Sequence, residues 1–168
     1  MLTATDLEFA DVEVVPTLAV QITSQCAPDP ASIGAAMDAA FGSLMKFIGR
    51  HGLTPSGPPR AIYTVYGSEG VTIIAAMPIL TSPSAGWDDP RIQVETLNPG
   101  RAYRFTHHGH YSKLGETYNR ITAFMKDKGW LGPEGDLCRF MPMWEEYVTD
   151  PSRTRPEDLL TYIYLPAA

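Results

Sequence analysis

The spacing of apolar positions alternates along the chain between the two-residue period of a strand and the three-to-four-residue period of a helix. Residues 11–25, DVEVVPTLAVQITSQ, are rich in Val, Ile and Thr and predict a strand, with Pro16 as a bulge or bend. Residues 29–52 change to helical spacing. Ile33, Met37, Phe41, Leu44, Met45 and Ile48 fall on one face, Asp29 can cap the start, Pro30 suits the first turn, and Gly49 or Gly52 ends it. Residues 59–80 then predict a hairpin, two β-rich runs around the turn-forming GSEG.

A Pro/Gly/Ser-rich connection, TSPSAGWDDP, leads into a second pass through the same order. IQVETLNPGRAYRFTHHG predicts a strand with a turn in its middle. YSKLGETYNRITAFMKDKGW predicts a helix capped by Ser112, with Leu114, Tyr118, Ile121 and Met125 on one face. CRFMPMWEEYVTD and EDLLTYIYLPA predict two further strands, joined by PSRTRP. Short echoes accompany the order: VEVVPTLAV with VETLNPGRAY, FIGRHGL with FMKDKGWL, AAMPI with IYLPA. The expectation is a tandem, pseudo-symmetric repeat of strand–helix–strand–strand modules, the first over about 1–82 and the second over about 91–168, joined by 82–90 in one domain. Two such modules side by side form an α+β fold, an antiparallel sheet with both helices on one face and a cleft between the halves.

Composition narrows the function classes. At 168 residues with 44% hydrophobic and 19% charged content, the chain reads as one soluble domain. No run of about 18 apolar residues is present, and acidic residues stand where a signal peptide needs a basic and then an apolar run, so a cytoplasmic protein without membrane contact is expected. A net charge of -6 argues against a nucleic-acid surface and mildly favours cationic ligands. Cys26 and Cys138 are far apart and form no CxxC pair. FTHHGHY holds three histidines, but Gly109 implies a turn, and turn and cap roles fit them better than a metal site. No GxSxG elbow, GxGxxG or Walker loop occurs. No metal or other cofactor is expected.

The candidate chemistry lies in FMPMWEEYVTDP, where Glu145 and Glu146 sit among Phe, Met, Trp and Tyr. Strand alternation places Met143, Glu145 and Tyr147 on one face, Trp144 and Glu146 on the other. A carboxylate in apolar company has a raised pKa and is costly unless paired, so it fits either a ligand cation or general acid–base work. Solvent or an arginine such as Arg104 or Arg139 would serve either glutamate equally well. Tyr147, Tyr162 and Tyr164 lie close in sequence, Tyr63 and Tyr66 occupy the matching hairpin, and a face-to-face arrangement would set Tyr66 opposite Tyr147. Aromatic residues around one acid suit a lipophilic cation.

The stretches LNPGRAYRFTHHGHYSKLGETYNRITAFMKDKGW and WEEYVTDPSRTRPEDLLTYIYLPA resemble the GyrI-like small-molecule-binding family, the effector-binding domain of bacterial multidrug-responsive and AraC-type transcription activators. The Pro-Gly turn, the HxGxY-like entry to a helix, the ExYxxDP run and the final strand ending in Pro carry the resemblance, closely over about 80 residues and by element order alone before them. It implies the tandem-module fold, a cleft that takes lipophilic and often cationic aromatic compounds, and an acidic charge partner at Glu145. The expected binding residues are Glu145, Tyr147, Tyr162, Tyr66 and Trp144. Tyr162 stands where an acidic residue is common in the family, which leaves the charge role to Glu145. The sequence starts almost at the domain with no helix-turn-helix before it, so a stand-alone binding protein is the leading expectation. The resemblance also implies two alternatives: a hydrolase opening strained cyclopropane rings of genotoxic compounds, with Glu145 catalytic, and a gyrase-modulating interaction protein. Whether the chain is an enzyme stays open at this point.

Overall fold

The computed structural model describes residues 7–84 and 89–167. The middle of the predicted connection, 85–88, and the first six residues lie outside the described set. Among the described residues, eight strands form one sheet: β1 (Phe9–Val14), β2 (Thr17–Cys26), β3 (Arg60–Gly67), β4 (Gly70–Pro78), β5 (Ile92–Leu97), β6 (Gly100–His108), β7 (Met143–Tyr147) and β8 (Leu160–Pro166). Two helices, α1 (Pro30–Arg50) and α2 (Leu114–Asp127), follow β2 and β6. The order across the sheet is β1-β6-β8-β7-β3-β4-β2-β5, and every pairing is antiparallel. No helix is long and apolar enough to cross a membrane among the described residues.

The strand order is the same read from either edge. The run β3-β4-β2 on one side of the centre mirrors β7-β8-β6 on the other. The helices match as well. Each ends at a glycine with left-handed φ, Gly52 at 61° and Gly129 at 75°. Each closes with the same bond across the turn, Leu53 N–H to the Ile48 carbonyl and Trp130 N–H to the Met125 carbonyl, both at 3.0 Å. These are Schellman closures, whose left-handed φ glycine adopts without the local backbone strain that a side chain brings.

Pro16 is not a bulge within one strand. It separates β1 from β2, and β1 crosses to pair with β6 at the far edge of the sheet. Asn98 and Pro99 separate β5 from β6 in the same way, and β5 pairs with β2. A two-residue link spans at most about 11 Å between strand ends. The two edges of the sheet are therefore drawn toward each other, and the sheet curls into a half-barrel.

Both helices pack on one face. α1 lays Ala40, Leu44, Phe47 and Ile48 against Val20, Ile22, Ala75 and Met77. Asp29 caps it by accepting the Ser32 N–H at 2.8 Å, and Pro30 opens the first turn. Met45, expected on the inner face, is 53% exposed, because it lies a turn-fraction away from the Phe41–Leu44–Ile48 stripe. α2 lays Ile121 and Met125 against Tyr103, Phe105, Met143, Ile163 and Leu165. The strand expected from Cys138 starts only at Met143: Asp136 accepts the Cys138 N–H and winds Leu137–Phe140 into a 3₁₀ turn.

Candidate functional site

One row of side chains crosses all eight strands on the helix-bearing face. In register it reads Ile92, Ile22, Ala75, Ala61, Glu145, Ile163, Phe105 and Phe9. Seven of the eight are apolar. The exception, Glu145, stands at the centre, where β7 of one half meets β3 of the other. Its neighbour there is Ala61, fully buried, and the small methyl leaves room beside the carboxylate.

Glu145 is 3% exposed. Its oxygens accept two phenol hydroxyls, Tyr118 at 2.5 Å on Oε2 and Tyr147 at 2.7 Å on Oε1. Burial raises its pKa above the usual carboxylate range, and the two phenols pull it part of the way back. Among the described residues no ion pair reaches it; the acid is held by hydrogen bonds and not by a counter-charge. Burial together with the nearby Glu145 charge raises Tyr118 and Tyr147 well above the usual phenol value, and Tyr63 shifts the same way. All three stay neutral at any physiological pH, and Tyr118 and Tyr147 keep the protons they donate to Glu145.

Both helices supply the surroundings. Tyr118 comes from α2, and Phe41 of α1 meets the Tyr147 ring edge-on at 6.3 Å. Tyr111 meets the other side of that ring at 5.5 Å. Ile33 and Met37 of α1 pack into the same cluster as Tyr63, Met141 and Tyr147. Tyr118 and Tyr147 are half-buried, so they stand between solvent and the acid. The result is a carboxylate in an aromatic cage, at the seam beneath α1 and α2.

The expected residues divide between the two faces. Glu145 and Tyr147 are together in the cage. Tyr66 is on the same face at its rim, 6.2 Å from Tyr63 between ring centres, because a bulge between Tyr63 and Val65 shifts the alternation by one residue. It does not lie opposite Tyr147: β3 and β7 are antiparallel, Tyr63 pairs with Met143, and the Tyr147 N–H reaches the Pro59 carbonyl at the other end. Trp144 and Tyr162 are on the opposite face of the sheet, since each is one residue from a cage-side position on its strand. Helical spacing sets Tyr118 on one face with Leu114, Ile121 and Met125, and its polar tip on that otherwise apolar stripe is the sequence signal for its place beside the acid.

The histidines hold the fold around α2. His107 is 3% exposed, and its Nε2 lies 3.0 Å from the His110 carbonyl, which can only accept. Nε2 therefore carries the proton, and Nδ1 takes the Thr117 hydroxyl at 2.6 Å. His110 accepts the Ser112 N–H and so caps the turn itself, in place of the expected Ser112. His108 pairs with Glu8 at the surface. Among the described residues no three His, Cys, Asp or Glu side chains gather as a metal site requires.

The sequence profile of the family described as the GyrI-like small molecule binding domain matches residues 13–168. None of the curated proteins matches the chain. Among solved structures, the EcmrR C-terminal domain has a similar fold, with a TM-score of 0.72 at 15% identity over 95% of this chain and 96% of that one. The EcmrR chain in an EcmrR–DNA complex is matched over 57% of its length, at 17% identity and a TM-score of 0.71. A hydrolase encoded by lin2189 from Listeria innocua gives 0.60 at 14% identity over 96% of this chain and 92% of that one. SAV2435, solved bound to tetraphenylphosphonium, gives 0.58 at 10% identity over 96% and 94%. At these identities the likenesses speak for the fold alone.

Proposed function

Because the chain belongs to the GyrI-like small molecule binding domain family, we propose that it takes up a small, apolar, cationic molecule at Glu145, beneath α1 and α2. The observation that carries this reading is a central carboxylate, 3% exposed, with two phenols and no cation among its described partners. A buried charge without a counter-charge costs several kcal/mol, which two hydrogen bonds of about 1.5–3 kcal/mol each offset in part. A cation entering the cage would supply the missing charge where little water screens it, and the faces of Tyr63, Tyr111 and Phe41 would supply cation–π and stacking contacts. Tyr118 and Tyr147 would turn aside to admit it, each giving up one hydroxyl bond.

The same acid would serve a ring-opening hydrolase. Both carboxylate oxygens are already engaged and the acid is shut away from water, which favours holding a charge over delivering a proton to a substrate and its attacking water. The structural likeness to an EcmrR domain and to SAV2435, solved bound to tetraphenylphosphonium, is consistent with a binding role.

Thermal unfolding with tetraphenylphosphonium tests the reading. The wild-type chain is expected to be stabilised in a concentration-dependent way, and Glu145→Gln to respond at least about tenfold more weakly. Equal responses from both proteins, or none from the wild type to any lipophilic cation, would contradict it.

A further inference from the structure

We propose that the sheet face opposite Glu145 carries a second ligand site, built on Arg60, Arg104 and Trp144 and selective for a small apolar molecule bearing one oxyanion. Among the described residues no helix covers this face, yet Trp144 is 3% exposed and Arg60 7%. Trp144 packs there with Ala102, Tyr164, Ile62 and Tyr162.

Two adjacent rows form the site. One runs Arg60, Glu146, Tyr162 and Thr106 across β3, β7, β8 and β6. The next runs Ile62, Trp144, Tyr164 and Arg104 across the same strands. Trp144 and Tyr164 stack at 4.7 Å with planes 6° apart. The Arg104 guanidinium lies 4.5 Å over the Tyr162 ring. The single acid, Glu146, is 3.6 Å from Arg60 Nε, beyond hydrogen-bond length, and takes the Tyr164 hydroxyl at a long 3.4 Å.

Two features point to a ligand. First, three buried N–H donors have no acceptor among the described residues: Arg60 Nε, Arg104 Nε and Trp144 Nε1. Buried donors are nearly always paired, because an unpaired one has given up its bonds to water with nothing in return. Second, two guanidiniums face one carboxylate, so the site carries an unbalanced positive charge. An oxyanion answers both, because its lone pairs accept several N–H groups at once and the guanidinium fork fits it. Of the three, Arg60 alone also lines an open hollow of about 410 Å³, with Pro16, Thr17, Leu18, Ser56 and Pro78, where the remainder of such a molecule can lie. Glu146 now serves as an internal stand-in for the anion, at poor distance.

The Trp144 indole N–H reports on the site directly. In ¹⁵N-labelled full-length protein its resonance is assigned by its loss in Trp144→Phe, and benzoate, inorganic sulfate and neutral benzamide are titrated in turn. Benzoate is expected to move the resonance saturably and benzamide to leave it in place; sulfate moving it as well would assign recognition to the oxyanion alone, and sulfate leaving it in place would add the hollow to the recognition. Arg104→Gln, at a half-buried position, is expected to weaken benzoate about tenfold or more, and Glu146→Gln to tighten it by a similar factor, since the competing internal carboxylate is gone. An unmoved resonance with both anions, equal shifts with benzamide, or weaker benzoate binding in Glu146→Gln would overturn the proposal. Glu145→Gln lies on the other face and is expected to leave benzoate binding unchanged, so this site and the cation site fail or stand separately.

Discussion

Tyr118→Phe removes one oxygen, the hydroxyl that donates to Glu145 Oε2 at 2.5 Å. Water cannot replace it, because the carboxylate behind it is 3% exposed. A hydrogen bond to a buried charge contributes about 1.5–3 kcal/mol, and one between neutral groups about 0.5–1.5 kcal/mol. The cost of the substitution therefore depends on whether Glu145 is ionised. Burial raises the folded-state pKa of Glu145 above that of an unfolded glutamate, which is about 4.3. A raised acid contributes stability that is fully present below the unfolded value and is lost as pH rises through the folded one. At pH 4 the folded acid is protonated, and Tyr118→Phe is expected to cost only the neutral-bond amount. As pH rises through the folded value the acid ionises and the cost grows to about 1.5–3 kcal/mol, or roughly 3–12 °C in Tm at about 2–4 °C per kcal/mol for a chain of this size. In a Glu145→Gln background the cost should stay near the neutral value at every pH. Urea unfolding of the four proteins of this cycle from pH 4 to 9 measures it, with a coupling of about 1 kcal/mol or more expected at high pH. A Tyr118→Phe cost that is the same in both backgrounds, or independent of pH, would refute the claim that the phenol is bonded to a buried charge.

Two further outcomes test the frame of the site. Gly52→Ala and Gly129→Ala, each at a left-handed φ with no atom within 4 Å of the added methyl, should each cost about 1–2 kcal/mol by urea unfolding, and unequal costs would argue against equivalent helix ends. His107→Ala strips the Thr117 hydroxyl and the His110 carbonyl of their buried partner and should cost about 2–5 kcal/mol by the same measurement, with a change under 1 kcal/mol counting against the assigned role.

Much of the fold was readable because its signals are local. The cap at Asp29, the glycines after both helices, the GSEG turn and the repeated element order all depend on neighbours in sequence. Pairing partners are not local. Nothing near Pro16 says that β1 leaves β2 and joins β6 some 90 residues on, although the repetition of the same Pro-interrupted strand at Asn98 and Pro99 echoes the exchange. Alternation along FMPMWEEYVTDP separates Glu145 from Glu146. The same rule, carried across strands, is what sets Trp144 and Tyr162 apart from the cage, and that step needs the register. The position of Tyr66 turns on one bulge, and the shortened β7 on one aspartate cap, each a single-residue event with a weak sequence mark.

The central claim is that the carboxylate of Glu145 is the charge partner of a cationic ligand. Isothermal titration with tetraphenylphosphonium and with neutral triphenylphosphine oxide, on wild type and Glu145→Gln at pH 8, tests it most directly. The wild type is expected to bind the cation, and the substitution to weaken the cation by about ten- to a hundredfold, roughly 1.4–2.8 kcal/mol, while leaving the neutral compound within about threefold. Loss of both compounds to the same degree, or of neither, would contradict it.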